Sequence, residues 1–167
     1  MDETVIRDFL TTSYPRLVPA VALISGSRAA AEDAVLEALA RAWERSERGE
    51  EIDSLPAWVT RVALNLAKNR LRRLGLERRV ANTYRLEPGN DEHSDDRVDI
   101  SRALATLPRR QREATVLYYL LDLGVRDVAL TLGVSEGTIK TLLFRARKTL
   151  ATELGLEAEE AHDDAPR

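Results

Sequence analysis

The stretch VALTLGVSEGTIKTLLFRARKTL, Val128 to Leu150, decides the fold of the second half of the chain. Gly133 can take the positive φ that ends a helix, and Ser135 is a strong N-cap for the helix that follows. Val128 and Leu132 precede the turn at helical spacing and are predicted to face a core. Two short helices around such a turn are typical of a helix-turn-helix motif, whose second helix enters the major groove of DNA.

The second helix of this motif has an apolar side and a polar side. The residues predicted to point inward are Ile139, Leu142, Leu143, Ala146 and Leu150. The outward side is predicted to carry Gly137, Lys140, Thr141, Phe144, Arg145 and Lys148, with Thr138 and Arg147 at its flanks. Because recognition helices contact base edges through their N-terminal residues, this side is the predicted DNA-binding face. Gly137 costs the helix about 1 kcal/mol relative to alanine, which favours close approach of a phosphate or base to the backbone there.

Three arginines, Arg109, Arg110 and Arg112, crowd the start of an upstream helix whose first turn is predicted to contain Pro108. The helix dipole disfavours cations at this end by roughly a few tenths of a kcal/mol each. Contact with DNA phosphate is one reason for such a placement. The alternative is that Glu113 and solvent screen the three charges.

Charge is segregated along the chain, although the net charge is only -3. Residues 1–57 carry 6 basic and 11 acidic side chains, whereas residues 58–86 carry 8 basic and 1 acidic. Residues 87–99 return to 1 basic and 6 acidic side chains with almost nothing apolar, which predicts a solvated, flexible linker. The predicted organisation is a first helical domain in 1–86, this linker, a second helical domain in 100–154, and an acidic, disordered tail in 155–167.

The basic segment begins inside a predicted helix, SLPAWVTRVALNLAKNRLRRLGLERR, which Ser54 caps and whose first turn holds Pro56. The residues predicted to form its buried stripe are Leu55, Val59, Val62 and Leu66. The opposite stripe carries Trp58, Arg61, Asn65, Lys68 and Arg72, joined by Asn69 and Arg73. Ordinary surface helices mix positive and negative charge, and acids are nearly absent here. A phosphate-bearing partner is therefore favoured over the alternative, a solvated face with Trp58 in the core.

The helix predicted for RAAAEDAVLEALARAWERSE is amphipathic, with an acidic outer face. Its predicted inward positions are Ala31, Val35, Leu39 and the pair Ala42 and Trp43. Aromatic residues make up only 5% of the chain, and glycine and proline are few, which favours helix nearly everywhere. The predicted fold class is all-α, with two small helical domains of which the second contains the helix-turn-helix.

Composition argues against several other kinds of protein. The chain has no cysteine, so it can form neither disulfides nor thiolate zinc sites, and His93 and His162 lie in polar, acidic stretches. No metal, cofactor or catalytic residue is therefore predicted. The N-terminus lacks the pattern of a secretion signal, and the apolar stretch LVPAVALISG is too short to cross a bilayer. We expect a cytoplasmic protein without a membrane segment.

Four motifs in this order resemble the extracytoplasmic-function class of bacterial sigma factors, the minimal kind with only regions 2 and 4. They are AEDAVLEALARAW (Ala31 to Trp43), LPAWVTRVALNLAKNRLRR (Leu55 to Arg73), LPRRQREATVLYY (Leu107 to Tyr119) and VALTLGVSEGTIKTLLFRARKTL (Val128 to Leu150). The resemblance runs from about Tyr14 to Leu154. The order and spacing of the four motifs are more specific evidence for this family than any single motif.

The resemblance implies a role for each motif. Glu32, Asp33, Glu37 and Arg41 would dock the clamp helices of core RNA polymerase. The helix with Trp58, Arg61, Asn65, Lys68, Asn69, Arg72 and Arg73 would bind the −10 element and its opened non-template strand, with the loop Gly49 to Asp53 holding an extruded base. The −35 element would be contacted by Arg112, Glu136, Gly137, Thr138, Lys140, Thr141, Phe144, Arg145 and Lys148, and the helix from Pro108 would meet the polymerase flap. Whether an anti-sigma factor binds the chain is left open.

Three alternatives compete with this assignment. A free-standing helix-turn-helix regulator would use the N-terminal half only to dimerise, which leaves the basic stripe near Trp58 unexplained. A hydrolase would need Glu32, Asp33 and Glu37 as catalytic acids, yet these lie on a predicted exposed face without a histidine, a cysteine or a phosphate loop. A helical scaffold without nucleic acid would not show DNA affinity that falls steeply with salt.

Overall fold

A computed structural model describes residues 2–73 and 94–154, except for the side chains of residues 71–73 and 94–99. All regular secondary structure in these two stretches is helical, which confirms the predicted all-α class. The helices fall into two compact units, one within Met1–Val80 and the other within Ala81–Arg167.

The first unit contains α1 (Glu3–Asp8), a π-helical segment (Phe9–Ser13), α2 (Tyr14–Ser25), α3 (Arg28–Glu47) and α4 (Leu55–Arg73). The carboxylate of Asp2 caps α1, and the hydroxyl of Ser27 caps α3 by accepting from the Ala30 N–H at 3.2 Å. Gly26 ends α2 at φ 77°, a backbone conformation that glycine adopts without strain. The apolar stretch noted in the sequence thus belongs to α2, a helix buried along most of its length.

The core of the first unit lies where α2, α3 and α4 pack against one another. Much of it consists of small residues, because the buried face of α3 carries Ala31, Ala34, Ala38 and Ala42 alongside Val35 and Leu39. The prediction of an inward Ala42 is confirmed, whereas Trp43 is wrong as an inward position, since it is 39% exposed.

The buried face of α4 differs from its predicted stripe. Leu55 and Val59 are buried as expected, but Val62 and Leu66 are only half-buried. The most deeply buried positions are Val59, Ala63, Leu64 and Ala67, joined by Thr60. The buried face is therefore rotated toward the alanines, which let α4 approach the alanine-rich face of α3 closely.

The second unit contains α5 (Ser94–Thr106), α6 (Arg109–Thr115), a π-helical segment (Val116–Leu120), α7 (Val125–Leu132) and α8 (Glu136–Glu153). Pro108 is the residue before α6, one position earlier than predicted. The core is built from aliphatic side chains of all four helices, among them Leu104, Ala114, Leu117, Val128 and Leu143.

Helix α5 corrects the predicted linker, because residues 94–99 are helical rather than irregular. The sequence at this end, SDD, places two acids in the first turn, and the positive end of a helix dipole favours acidic residues there. The run of like charges predicted a linker here, and the start of this helix was therefore missed from the sequence. The remainder of the predicted linker, residues 87–93, and the predicted tail, residues 155–167, lie outside the described residues.

None of the helices in the described stretches combines the length and apolar character needed to span a bilayer. The same residues contain no cluster of three or more histidine, aspartate or glutamate side chains suited to holding a metal ion.

Candidate nucleic-acid interface

The helix-turn-helix predicted from sequence is present in α7 and α8. Gly133 ends α7 at φ 67°, and its N–H donates to the carbonyl of Ala129. The hydroxyl of Ser135 accepts from the Thr138 N–H at 3.2 Å and so begins α8. Ile139, Leu143 and Ala146 are buried, while the two other predicted inward residues, Leu142 and Leu150, are half-buried. The turn chemistry and the inward side of α8 are thus confirmed, with Leu142 and Leu150 near its edge.

The predicted DNA-binding residues of α8 all lie on exposed positions. They are Glu136, Gly137, Thr138, Lys140, Thr141, Phe144, Arg145 and Lys148. The ammonium group of Lys148 lies 4.9 Å from the centre of the Phe144 ring, a cation–π contact that keeps an aromatic and a cation side by side. The Thr141 hydroxyl donates to the carbonyl of Gly137 at 3.0 Å, so its hydroxyl hydrogen is already engaged in a hydrogen bond within α8.

Gly137 is not required by the packing of the chain. A Cβ atom at this position would meet only the Ser135 hydroxyl oxygen, at 3.9 Å, which is ordinary van der Waals contact. The residue also lies on an ordinary helical backbone, without positive φ. The described packing would therefore accept a side chain at position 137.

Arg112 corrects the predicted −35 surface, because it is only 5% exposed. It is carried by α6, which packs against α8, and the next residue, Glu113, is completely buried. Arg109 and Arg110 remain half-exposed and pair with the Glu113 carboxylate at 3.6 and 3.3 Å. The alternative that Glu113 screens these charges thus holds for two of the three arginines, and a buried Arg112 is unsuited to contacting duplex DNA.

The polar face of α4 is open to solvent at its centre. Arg61, Asn65 and Asn69 are exposed, while Trp58 and Lys68 are half-buried beside them. The helix contains no acidic residue from Leu55 to Arg73. Arg72 and Arg73 belong to the helix, but their side chains lie outside the described residues. The face therefore offers cations, amides and the edge of an indole, which suits a nucleic-acid strand.

The loop between α3 and α4 is organised by charge. Gly49 has φ 77°, and the carboxylate of Glu50 pairs with Arg45 at 2.8 Å and with Arg48 at 3.3 Å. At its other end the Ser54 hydroxyl accepts from the Ala57 N–H at 3.4 Å, which confirms the predicted cap of α4. The loop is thus tied to the end of α3 and leads directly into the cationic face.

The outer face of α3 carries the four residues predicted to bind polymerase. Asp33, Glu37 and Arg41 are exposed and Glu32 is half-buried. All four have partners on the protein surface: Glu37 pairs with Arg41 at 2.9 Å, Glu32 with Arg28 at 2.9 Å, and Asp33 with Arg70 of α4 at 2.8 Å.

An apolar groove of about 350 Å³ runs beside these charges and was missed from the sequence. It is lined by Glu3, Ile6, Leu36, Leu39, Ala40 and Trp43. Leu36 is 49% exposed and Trp43 is 39% exposed. Two large apolar side chains therefore face solvent on the same helix as the charged positions. The signal that could have found the groove is Leu36, an apolar residue placed among the charges of the outer face.

Comparison with known proteins gives these surfaces a family context. Residues 10–77 match the family model of sigma-70 region 2, and residues 97–150 match that of sigma-70, region 4. Over 160 residues the chain is 31% identical to the ECF RNA polymerase sigma factor EcfG of Rhodopseudomonas palustris, which covers 93% of this chain and 88% of that relative. The chain belongs to the extracytoplasmic-function (ECF) family of RNA polymerase sigma factors.

Two further comparisons agree with this family. The sigma factor is 32% identical over 137 residues to the ECF sigma factor SigF of Caulobacter vibrioides, covering 78% of this chain and 74% of that relative. A solved structure of the sigma factor RpoE of Bartonella quintana, in complex with the anti-sigma factor NepR, matches with a TM-score of 0.75 and 27% identity, covering 93% of this chain and 99% of that one. The chain is thus a promoter-directing initiation factor that acts with core RNA polymerase and promoter DNA.

Proposed function

We propose that the sigma factor divides promoter recognition between its two units, with α4 binding the opened −10 element and α8 binding the −35 element. The observation that carries this proposal is the presence of one solvent-facing cationic helix in each unit, at the places where region 2 and region 4 match. Opened DNA is bound by cationic surfaces with stacking groups, and duplex DNA by a helix in the major groove. The faces of α4 and α8 correspond to these two modes.

The outer face of α3 and the adjoining groove form the proposed polymerase-docking surface. Leu36 and Trp43 supply apolar area, and Asp33, Glu37 and Arg41 supply charge around it. Buried apolar anchors inside a polar rim are the usual source of affinity in protein interfaces. We therefore propose that the residues of the groove bind polymerase together with the charged residues.

No catalytic role is proposed for the chain, since the chemistry of transcription belongs to the polymerase. The proposed location is the cytoplasm, where polymerase and promoters are found. Because the Bartonella quintana relative is seen with an anti-sigma factor, an anti-sigma partner is also proposed for this sigma factor.

The division of labour is tested by run-off transcription with purified core polymerase on promoters mapped from transcripts that the wild-type protein initiates. Lys140→Ala with Arg145→Ala should reduce initiation by about tenfold or more, because each contact to a base discriminates by roughly 1–3 kcal/mol. Affinity for core polymerase should not change. The matched control is Arg126→Ala, which removes an exposed cation from α7 outside the proposed face.

The opposite result is expected at the groove. Leu36→Ala with Trp43→Ala should weaken the affinity for core polymerase and leave duplex binding by the free protein unchanged. A regulator that acts without polymerase would show neither the loss of initiation in the α8 variant nor the loss of polymerase affinity in the groove variant. If the α8 variant instead lost polymerase binding alone, the proposed division would be wrong.

A further inference from the structure

Glu113 is a fully buried acid, and two cations at the surface are among its partners. Its side chain is 1% exposed, and its carboxylate lies 3.6 Å from Nε of Arg109 and 3.3 Å from Nη1 of Arg110. Burial of an isolated carboxylate is strongly unfavourable, and pairing with cations offsets part of that cost. The helix that carries the acid, α6, packs against α8.

The two arginines are held differently from the acid. About half of each side chain, 49%, remains exposed, so each guanidinium approaches Glu113 from the solvent side. A guanidinium has five N–H donors in a rigid plane, and a contact with one carboxylate leaves donors directed elsewhere. A rigid acid beneath two half-exposed guanidinium groups fixes where those outward donors lie.

Two arginines face one buried carboxylate at this position, each against a different oxygen. One arginine would neutralise Glu113, and the start of a helix disfavours positive charge. The pair and the acid together leave a net charge of about +1 on the surface, on a helix that packs directly against α8. The exposed face of α8 adds Lys140, Arg145 and Lys148 to the same unit. This concentration of one sign favours a polyanion as the partner.

We propose that Glu113 is a positioning residue, which holds Arg109 and Arg110 as a paired guanidinium contact for a DNA phosphate. The proposal rests on the proposed function, in which the second unit binds duplex DNA. Guanidinium groups match phosphate oxygens in a two-pronged geometry, and such contacts fix the register of a protein on DNA without selecting sequence. Of the three arginines for which the sequence suggested a phosphate contact, the two exposed ones, Arg109 and Arg110, keep that role in the proposal.

Glu113→Gln separates this idea from general electrostatics, because the two predict opposite signs. The substitution removes a negative charge, so electrostatics alone predicts tighter DNA binding. Loss of positioning predicts binding that is weaker by about threefold to tenfold, with a slope of log affinity against log salt reduced by roughly 0.9, the value for one phosphate contact. The measurement is fluorescence anisotropy of the full chain with a labelled 30-base-pair duplex of random sequence over a salt series.

Three further variants isolate the mechanism. Glu153→Gln makes the same charge change at an exposed position in the last turn of α8 and should leave affinity unchanged or slightly higher. Glu113→Asp keeps the charge and should restore part of the affinity. Arg109→Gln with Arg110→Gln should reproduce the loss, and adding Glu113→Gln to that double variant should change affinity little further.

Two results would overturn the proposal. One is duplex binding by Glu113→Gln as tight as, or tighter than, that of the wild type. The other is a double arginine variant that keeps its duplex affinity and salt slope but loses affinity for core polymerase, since the pair would then contact protein. If Glu113→Gln melts at a much lower temperature, weaker DNA binding by that variant could come from lost stability. The double arginine variant then tests the proposal by itself. Failure of the wild type to support promoter-specific transcription would instead refute the proposed function.

Discussion

Helices α4 and α8 are of similar length, 19 and 18 residues, and both turn cationic faces to solvent, but they are embedded to different depths. In α8 only Ile139, Leu143 and Ala146 are buried. In α4 the buried set is twice as large and extends from Leu55 to Ala67. The difference agrees with the proposed division of promoter binding, because the major groove admits a helix, whereas an opened strand needs a surface to lie on.

The composition of the two buried faces explains this difference. The buried alanines Ala63 and Ala67 let α4 lie close to α3, whose own buried face is largely alanine. In α8 the buried residues are Ile139, Leu143 and Ala146, two of them larger than alanine. The two helices therefore differ in the side-chain size of the buried face as well as in its extent.

The largest expected effect comes from Leu64→Ala, because Leu64 is 1% exposed at the centre of the embedded face. Truncation of a buried leucine leaves a cavity and should lower the free energy of unfolding by about 2–5 kcal/mol. The measurement is urea unfolding followed by circular dichroism. Leu130→Ala is the control, since Leu130 is 64% exposed and should change stability by less than about 0.5 kcal/mol. Equal effects of the two substitutions would show that α4 is not embedded as described.

A smaller effect is expected from Trp58→Ala on binding of single-stranded DNA. Stacking of a base on an aromatic side chain contributes about 1–3 kcal/mol, so affinity of the polymerase holoenzyme for a single-stranded −10 oligonucleotide should fall by roughly tenfold to a hundredfold. Trp58→Tyr should retain most of the affinity. Because Trp58 is half-buried, the stability of both variants has to be measured alongside. If alanine and tyrosine behave alike in binding, Trp58 serves packing only.

Two glycines of the helix-turn-helix should respond to alanine with opposite signs. Gly133→Ala places a Cβ at φ 67° and should destabilise the second unit by about 1–2 kcal/mol. Gly137→Ala adds a Cβ with room around it and should stabilise α8 by up to about 1 kcal/mol. Despite this gain, Gly137→Ala should weaken duplex binding if DNA approaches the backbone there. Thermal melting and duplex anisotropy on the same samples separate stability from binding, and unchanged binding by Gly137→Ala would remove this residue from the interface.

The helix-turn-helix could be predicted because its signals are local. Gly133 and Ser135 each determine the backbone of their own turn, and the spacing of Ile139 and Leu143 marks the inward side of α8. The buried face of α4 could not be placed from its large aliphatic residues, since Ala63 and Ala67 pack against a neighbour that lies elsewhere in the sequence. Small side chains carry little periodic signal, although they decide which helices approach closely.

The candidate site could be predicted wherever charged residues lie on the protein surface. That rule holds on α8, where all of the predicted positions are exposed, and it fails at Arg112, because α6 buries a cation beside Glu113. It also overlooked the groove, where the exposed residues Leu36 and Trp43 are apolar. Both features depend in part on neighbouring helices, since α1 completes the groove beside α3 and α8 packs against α6.

The smallest expected effect concerns the ion pair between Asp33 and Arg70, which joins α3 to α4 at 2.8 Å. More than half of each side chain is exposed, and exposed pairs contribute about 0.2–1 kcal/mol, less at high salt. Asp33→Asn and Arg70→Gln should therefore each lower the free energy of unfolding by at most about 1 kcal/mol, and the double variant should cost little more than either alone. Since Asp33 also belongs to the proposed docking surface, Asp33→Asn should weaken polymerase affinity more than Arg70→Gln does. Equal losses of polymerase affinity would mean that the pair acts only by holding α3 and α4 together, and Asp33 would then leave the proposed docking surface.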